Sequence, residues 1–183
     1  MSSSAIKTRR LLLRQLNDED APRIAQIGGD WDVASMTARM PYPYTMETAY
    51  QWIDAIDPGE MIYGIEHDGE LIGVTGFTPA PDEPTAEVGY WLGKDYWGQG
   101  YATEAAQAVI DHCFYREGFR KLTCGHFADN PASARVIEKL GFEETGSGAW
   151  WCEARQLETL ALRYELNRPE SSWRKLVRWN RAT

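Results

Sequence analysis

The stretch AEVGYWLGKDYWGQGYATEAAQAVIDHCFY, residues 86–115, sets a strand-like run, a loop with two glycines one residue apart and a helical run in immediate succession. Ala86 to Leu92 reads as a strand. From 102 to 116 Ala102, Ala106, Val109, Cys113 and Phe114 recur at helical spacing, and Gly118 closes the helix. Glycine costs conformational entropy unless its backbone freedom is used. Here the position supplies a use, because successive backbone N–H groups at a helix start, aided by the helix dipole, form a concave anion site that needs no cationic side chain. Gly98 and Gly100 let that backbone approach phosphate oxygens, and small Ala102 and Thr103 keep the entrance clear. Two familiar loops are excluded: no lysine follows Gly100 as a P-loop requires, and Thr103 stands where GxGxxG needs its third glycine. An isolated GxG also serves as a plain turn ahead of a helix.

Working outward, KLTCGHF (121–127) reads as a further strand. In DNPASARVIEKLGF (129–142), Asn130 caps, Pro131 suits the first helical position, Ala132, Val136, Ile137 and Leu140 make the buried face, and Gly141 stops the helix. Strand, helix, strand over 86–127 is long enough for a right-handed parallel crossover. Upstream, MIYGIEH and ELIGVTGFT are joined by Asp68-Gly69, a type I′ hairpin signal. RRLLLRQL (9–16) reads as a strand, and Asn17-Asp18 cap a short helix through Ile27. Trp31 to Tyr44 reads as irregular, aromatic and proline-rich. Thr45 then caps a helix carrying Met46, Ala49, Trp52, Ile53 and Ile56. Ala149–Cys152 and Leu157–Leu166 close the chain as strands. The whole reads as α/β with a mixed sheet.

Composition bounds the function. The 183 residues, 43% of them hydrophobic, suit one globular unit. A net charge of −8 argues against a nucleic-acid surface and favours cationic or amine partners. Three scattered cysteines and three distant histidines give no metal-ligand spacing, so no metal is expected. Free cysteines, no apolar run near the ~20 residues of a membrane span and no leader-like segment point to a cytoplasmic protein. The tail RPESSWRKLVRWNRAT is locally basic; it reads either as a grip on an anionic partner such as RNA or as a terminal helix packed on its own domain or a second subunit.

EVGYWLGKDYWGQGYATEA, followed about 25 residues later by NPASARVIEKLGF, resembles the GNAT superfamily of acetyl-CoA-dependent N-acetyltransferases, in its ribosomal-protein (RimJ/RimL-type) branch. The similarity runs from RRLLLRQL through PYPYTMETAYQWI to LRYEL. It implies one GNAT domain with its core at about 8–168 and a basic extension at 169–183. The implied fold is a mixed, mostly antiparallel sheet of six to seven strands, with a splayed parallel pair (86–92 and 121–127) and helices on both faces. Acyl-CoA is then expected in the gap, pantetheine along the edge of Tyr90, Trp91 and Leu92, and pyrophosphate on Trp97, Gly98, Gln99, Gly100, Tyr101, Ala102 and Thr103. Asn130 and Ser133 are expected to contact the cofactor. The superfamily often has Arg or Gln where Trp97 stands, so no cation is expected at that position.

Acetyl transfer from a thioester to an amine requires a neutral amine, donors for the oxyanion and a proton for the departing thiolate. Backbone N–H groups near Trp91 or Leu92 suit the oxyanion. Many relatives protonate the thiolate with a tyrosine whose place here is taken by Ile137; the Rim-type branch implies Ser133 instead, a residue that also reads as a small first-turn helix residue. Glu87 matches a glutamate that takes the amine proton through water, and reads equally as an exposed strand carboxylate. His126 and Asp129 are its rivals. A covalent route through Cys124 lacks a fixed third partner and is rejected. Trp31, Arg39, Tyr42 and Tyr44, with Trp52, are expected to build the acceptor pocket, where aromatic walls suit an apolar or cation-bearing group and Arg39 a carboxylate. The acceptor is a protein N-terminus or a small amine, and a homodimer is common in proteins of this kind. A non-catalytic acyl-CoA-binding module and a ribosome- or RNA-associated factor are the competing functions.

Overall fold

The computed structural model describes residues 5–81 and 83–169. The basic extension expected at 169–183 lies, apart from Pro169, outside the described residues.

Strands β1 (Ile6–Lys7), β2 (Leu12–Gln15), β3 (Met61–His67), β4 (Glu70–Pro79), β5 (Thr85–Leu92), β6 (Lys121–Phe127), β7 (Glu143–Cys152) and β8 (Leu157–Asn167) form one sheet in the order β1-β2-β3-β4-β5-β6-β8-β7. The eighth strand is the two-residue β1, which forms because Thr8–Leu11 turns back where one continuous strand over 9–16 was expected. The β3–β4 hairpin has the predicted turn, with Asp68 at φ 50° and Gly69 at φ 82°. Every neighbouring pair is antiparallel except β5 with β6.

Helices cover both faces. On one side α4 (Tyr101–His112) and α5 (Pro131–Lys139) pack on Val88, Leu92, Leu122 and Phe77. On the other, α1 (Ala21–Gly28), α2 (Trp31–Ala34) and α3 (Met46–Asp54) enclose a second core with Leu71, Phe127 and Ala161. The segment 31–44 is thus not wholly irregular: Asp30 Oδ1 accepts the Asp32 N–H and caps one helical turn. The run expected as one helix to 116 changes character, since five residues from Cys113 to Glu117 adopt a π turn before Gly118, at φ 82°, closes it. Strand β7 starts six residues before Ala149, the first residue expected in that strand.

Strand pairing positions the site. β5 and β6 share three register pairs, Thr85 with Lys121, Ala86 with Leu122 and Glu87 with Thr123, and then separate. Beyond those pairs each strand stays paired to its outer neighbour, β5 to β4 and β6 to β8. Strand twist then carries the two inner edges apart, because nothing holds them together beyond the third pair.

On α5, Ile137 and Leu140 are buried and Val136 is half-buried as the spacing predicts, whereas Ala132 is exposed. The helix leans on the sheet with its later turns, so its first turn stands at the open end of the separated strands. Ile137, 1% exposed, is the residue that ties α5 to the core. Ile137→Ala is expected to lower stability by about 2–5 kcal/mol in urea unfolding; a loss under ~1 kcal/mol would show that the helix is held elsewhere.

Candidate active site

Alternation along β5 decides which backbone groups face the gap. The Gly93 N–H binds Ile72 O across the β4–β5 ladder, so Trp91 and Gly89, in the same phase, also turn their N–H and C=O toward β4. Those of Tyr90 and Leu92 turn toward the separated β6. The Leu92 carbonyl accepts the Trp97 indole N–H at 2.9 Å, which leaves the Leu92 N–H and both backbone groups of Tyr90 along an open edge.

That edge leads into the glycine loop. Gly98 and Gly100 have φ of 74° and 82°, the left-handed region where an L side chain is strained. No atom lies within 4 Å of a Cβ built on Gly98. Helix α4 begins at Tyr101 with no side-chain cap, so its first N–H groups remain available at the loop. A cation lies beside them that the motif reading did not find. Arg10, from the turn between β1 and β2, has its guanidinium 3.4 Å from the Gly100 Cβ position and donates to Gln99 O at 3.0 Å. Its Nε binds Glu104 at 2.7 Å, and it stacks 4.5 Å from the Tyr101 ring centroid. Burial alone would raise the Glu104 pKa, but bonds from Thr8 and Arg10 overcome it and hold the carboxylate below its usual range. The contact joins residues 94 apart in sequence, and no local pattern announces it. The Tyr101 side chain turns into the core and meets His67 Nε2 at 3.0 Å, so only its backbone faces the loop.

Two hydroxyls meet at the gap from the α5 side. Asn130 Oδ1 accepts the Ser133 N–H at 3.1 Å, the cap that the sequence predicts, and this orients the first turn. Ser133 Oγ lies 2.9 Å from the Tyr90 phenol. Burial pushes that phenol well above its ordinary pKa, against the opposing effect of the Ser133 hydrogen bond, so it stays protonated. Tyr90 was expected to contribute only its backbone; its strand phase with Val88 and Leu92, toward α5, is the signal that would have found its side chain. Ile137 is buried beneath, in the core.

The opposite face of β5 presents Glu87, Gly89 and Trp91 to a cavity of about 1160 Å³ that is continuous with the gap and the loop. Nothing lies within 4 Å of a Cβ at Gly89, so this glycine is an open floor. Trp52 and Trp91 form one wall, centroids 6.4 Å apart, and Tyr44 is buried at another. Arg39 lines the cavity; Trp31 and Tyr42 pair edge-to-face at 5.0 Å on the exposed surface outside the lining. Glu87 is exposed and has no hydrogen-bond or ion-pair partner among the described residues. Its rivals are engaged. His126 lies 3.0 Å from the Tyr164 hydroxyl, and Asp129 pairs with Arg155 at 2.7 Å. Among the described residues no cluster of His, Cys, Asp or Glu has metal-holding geometry.

Comparison with known proteins bears on this arrangement. The model of the Acetyltransferase (GNAT) domain matches residues 10–143. The chain is 32% identical over 152 residues to the uncharacterized N-acetyltransferase YoaA of Bacillus subtilis, covering 77% of this chain and 84% of YoaA. The chain belongs to the GNAT acetyltransferase family. It is also 38% identical over 82 residues to the ribosomal-protein-serine acetyltransferase of Escherichia coli, covering 44% and 46% of the two chains. Among solved structures, the RimL ribosomal L7/L12 alpha-N-protein acetyltransferase in complex with coenzyme A superposes with a TM-score of 0.78 at 21% identity, covering 90% and 98%. The GNAT fold takes acetyl-CoA, and the residues present suit it: an edge with free amide groups matches pantetheine, and an uncrowded loop of backbone N–H groups matches a diphosphate.

Burial bears on the three thiols of this GNAT enzyme, of which Cys124 borders the cavity. Cys113, Cys124 and Cys152 are all buried, and burial pushes the Cys113 and Cys124 thiols up to about 12. At pH 8 the native protein is expected to show no fast reaction with a disulfide reagent, and the urea-unfolded protein three thiols. A rapidly titrating native thiol would contradict the assignment.

Proposed function

We propose that the enzyme transfers the acetyl group of acetyl-CoA to a primary amine in a ternary complex, and that the preferred acceptor is an α-amine such as a protein N-terminus. The observation that carries this reading is that the gap between β5 and β6 opens on both faces of the sheet. The Ser133–Tyr90 hydroxyls stand on one side, and the Gly89-floored cavity on the other. Bound acetyl-CoA supplies an activated acyl group and a thiolate leaving group. An amine approaching over Gly89 can then add to one face of the carbonyl, while a hydroxyl donor at Ser133 serves the sulfur as the tetrahedral intermediate collapses.

Each residue acquires a task. Gly98, Gly100 and the first N–H groups of α4 take the diphosphate, with Arg10 beside them. The Tyr90 edge pairs with the pantetheine amides, and the Leu92 N–H is the nearest backbone donor for the carbonyl oxygen. The Tyr90 phenol, kept protonated by burial, donates to Ser133 Oγ and so directs the serine proton into the gap, where it hydrogen-bonds the departing sulfur. Glu87 receives the proton that the amine loses, through water. The balance is one amide N–C bond formed, one C–S bond broken and one proton passed from nitrogen to sulfur through solvent.

An α-amine has a pKa of about 7.7–8.0 against about 10.4 for lysine, so roughly a tenth of it is neutral near pH 7, on the order of a few hundred times the neutral fraction of lysine. A solvent-exposed Glu87 with no second base attached is adequate for such an amine. The similarity to acetyltransferases named for ribosomal-protein serine and for an L7/L12 α-amine points the same way.

The deciding test is thiol release from acetyl-CoA with peptides of varied N-termini, free amino acids, polyamines and aminoglycosides. N-terminal peptides are expected to turn over best; a flat response to every amine would instead identify a non-catalytic acyl-CoA-binding module. Gly100→Val places a β-branched side chain at φ 82°, and calorimetry is expected to show coenzyme A affinity reduced at least about tenfold. Wild-type affinity would detach the loop from the phosphates. Gly89→Leu fills the cavity floor and is expected to raise acceptor KM severalfold while coenzyme A affinity stays within about twofold. The reverse pattern would move the acceptor to another face.

A further inference from the structure

Helix α5 carries a stripe that its role as a cap for the gap does not use. Ala132, Arg135, Val136 and Lys139 follow the spacing of one helix face, and all four line the same cavity as the glycine loop. The stripe begins bare, because exposed Ala132 leaves space beside Ser133, and it ends in two cations. Arg135 and Lys139 are exposed, and neither has a hydrogen-bond or ion-pair partner among the described residues. Neighbouring Glu138 pairs with neither of them.

Three cations that stand beside lining residues are already committed. Arg10 is held by Glu104, Lys94 by Asp32 and Arg155 by Asp129. Arg39, which also lines the cavity, belongs to the acceptor side, in the segment leading to Tyr44. A net charge of −8 makes the long-range field unfavourable for a polyanion, so an anionic ligand must find its compensation locally. Backbone N–H groups of the loop compensate a diphosphate. They leave a phosphomonoester elsewhere on the ligand without a partner, and such a group is close to a dianion near pH 7.

We propose that Arg135 and Lys139 bind the 3′-phosphate of the adenosine end of coenzyme A, so that the enzyme discriminates the phosphorylated nucleotide from its dephosphorylated form. The proposal rests on the cofactor reading above. Side chains one helical turn apart have their Cβ atoms about 5–6 Å apart, a spacing from which an arginine fork and a lysine ammonium reach oxygens of one phosphate. The adenosine then runs along the α5 stripe, over Ala132 and Val136, after leaving the loop.

Isothermal titration of the full chain with coenzyme A and with 3′-dephospho-coenzyme A tests this directly. The wild type is expected to bind coenzyme A on the order of tenfold more tightly, with the ratio shrinking as salt is raised. In Arg135→Ala/Lys139→Ala the ratio is expected to fall to near one, and in Arg135→Glu/Lys139→Glu to invert. Equal wild-type affinities, or a double variant that keeps the wild-type ratio, would overturn the subsite while leaving the cofactor reading in place. A wild type that binds neither ligand would overturn both. Alanine is the best helix former and both positions are exposed, so the variants are expected to melt with the wild type. Arg135→Gln/Lys139→Gln provides a second neutral pair if the alanine pair melts early.

Discussion

Two strands that should remain neighbours stop bonding after three residues, and the rest of the site follows from that separation. Thr85–Glu87 pairs with Lys121–Thr123, and beyond this each strand follows its outer partner. The N–H and C=O groups of Tyr90 and the Leu92 N–H are therefore left on an edge inside a domain. A buried unsatisfied polar group costs about 1–3 kcal/mol. The structure avoids that penalty by opening the edge into a cavity of about 1160 Å³, where water or the amides of a ligand satisfy it. The proposed binding site and the relief of the backbone are the same feature.

A gap that passes through the sheet also separates chemical tasks that would interfere on one surface. On the α5 side the Ser133–Tyr90 pair stands at the gap, above a core packed by Ile137 and its neighbours. The α1–α3 side is aromatic and roomy, floored by Gly89 and walled by Trp52 and Trp91. Under the proposed mechanism the leaving group is served from the first side and the nucleophile from the second. The alternating phase of one strand, Tyr90 toward one face and Gly89 with Trp91 toward the other, achieves this without any loop rearrangement.

Charge is distributed with the same economy. Under the proposed reading an acidic chain handles an anionic ligand through backbone dipoles and a few placed cations rather than through a broadly basic surface. Arg10 is fixed by Glu104 and Tyr101 before any ligand arrives, so its position costs no ordering on binding. Arg135 and Lys139, by contrast, are exposed and unpaired among the described residues, which suits them to the outer end of a ligand.

Local chemistry by itself determined a good deal of this protein. Positive φ at Asp68-Gly69 is written in the dipeptide, the Asn130 cap in NPAS, and the glycine loop before α4 in WGQGY, because each depends only on residues within one turn. Periodicity likewise placed α3, β5 and β6. It erred where the next residue in space is remote: the strand read over 9–16 is shortened by the turn at Thr8–Leu11, and Ala132 is exposed because α5 leans on its later turns. Trp31 and Tyr42, chosen for their aromatic surroundings, pair with each other outside the cavity lining. Arg10 beside Gly100, Tyr90 against Ser133 and the open floor at Gly89 were decided by tertiary structure alone. Each joins segments more than 30 residues apart or depends on which face of a twisted strand is covered. Such facts belong to the packing of the whole sheet, and no window of sequence contains them.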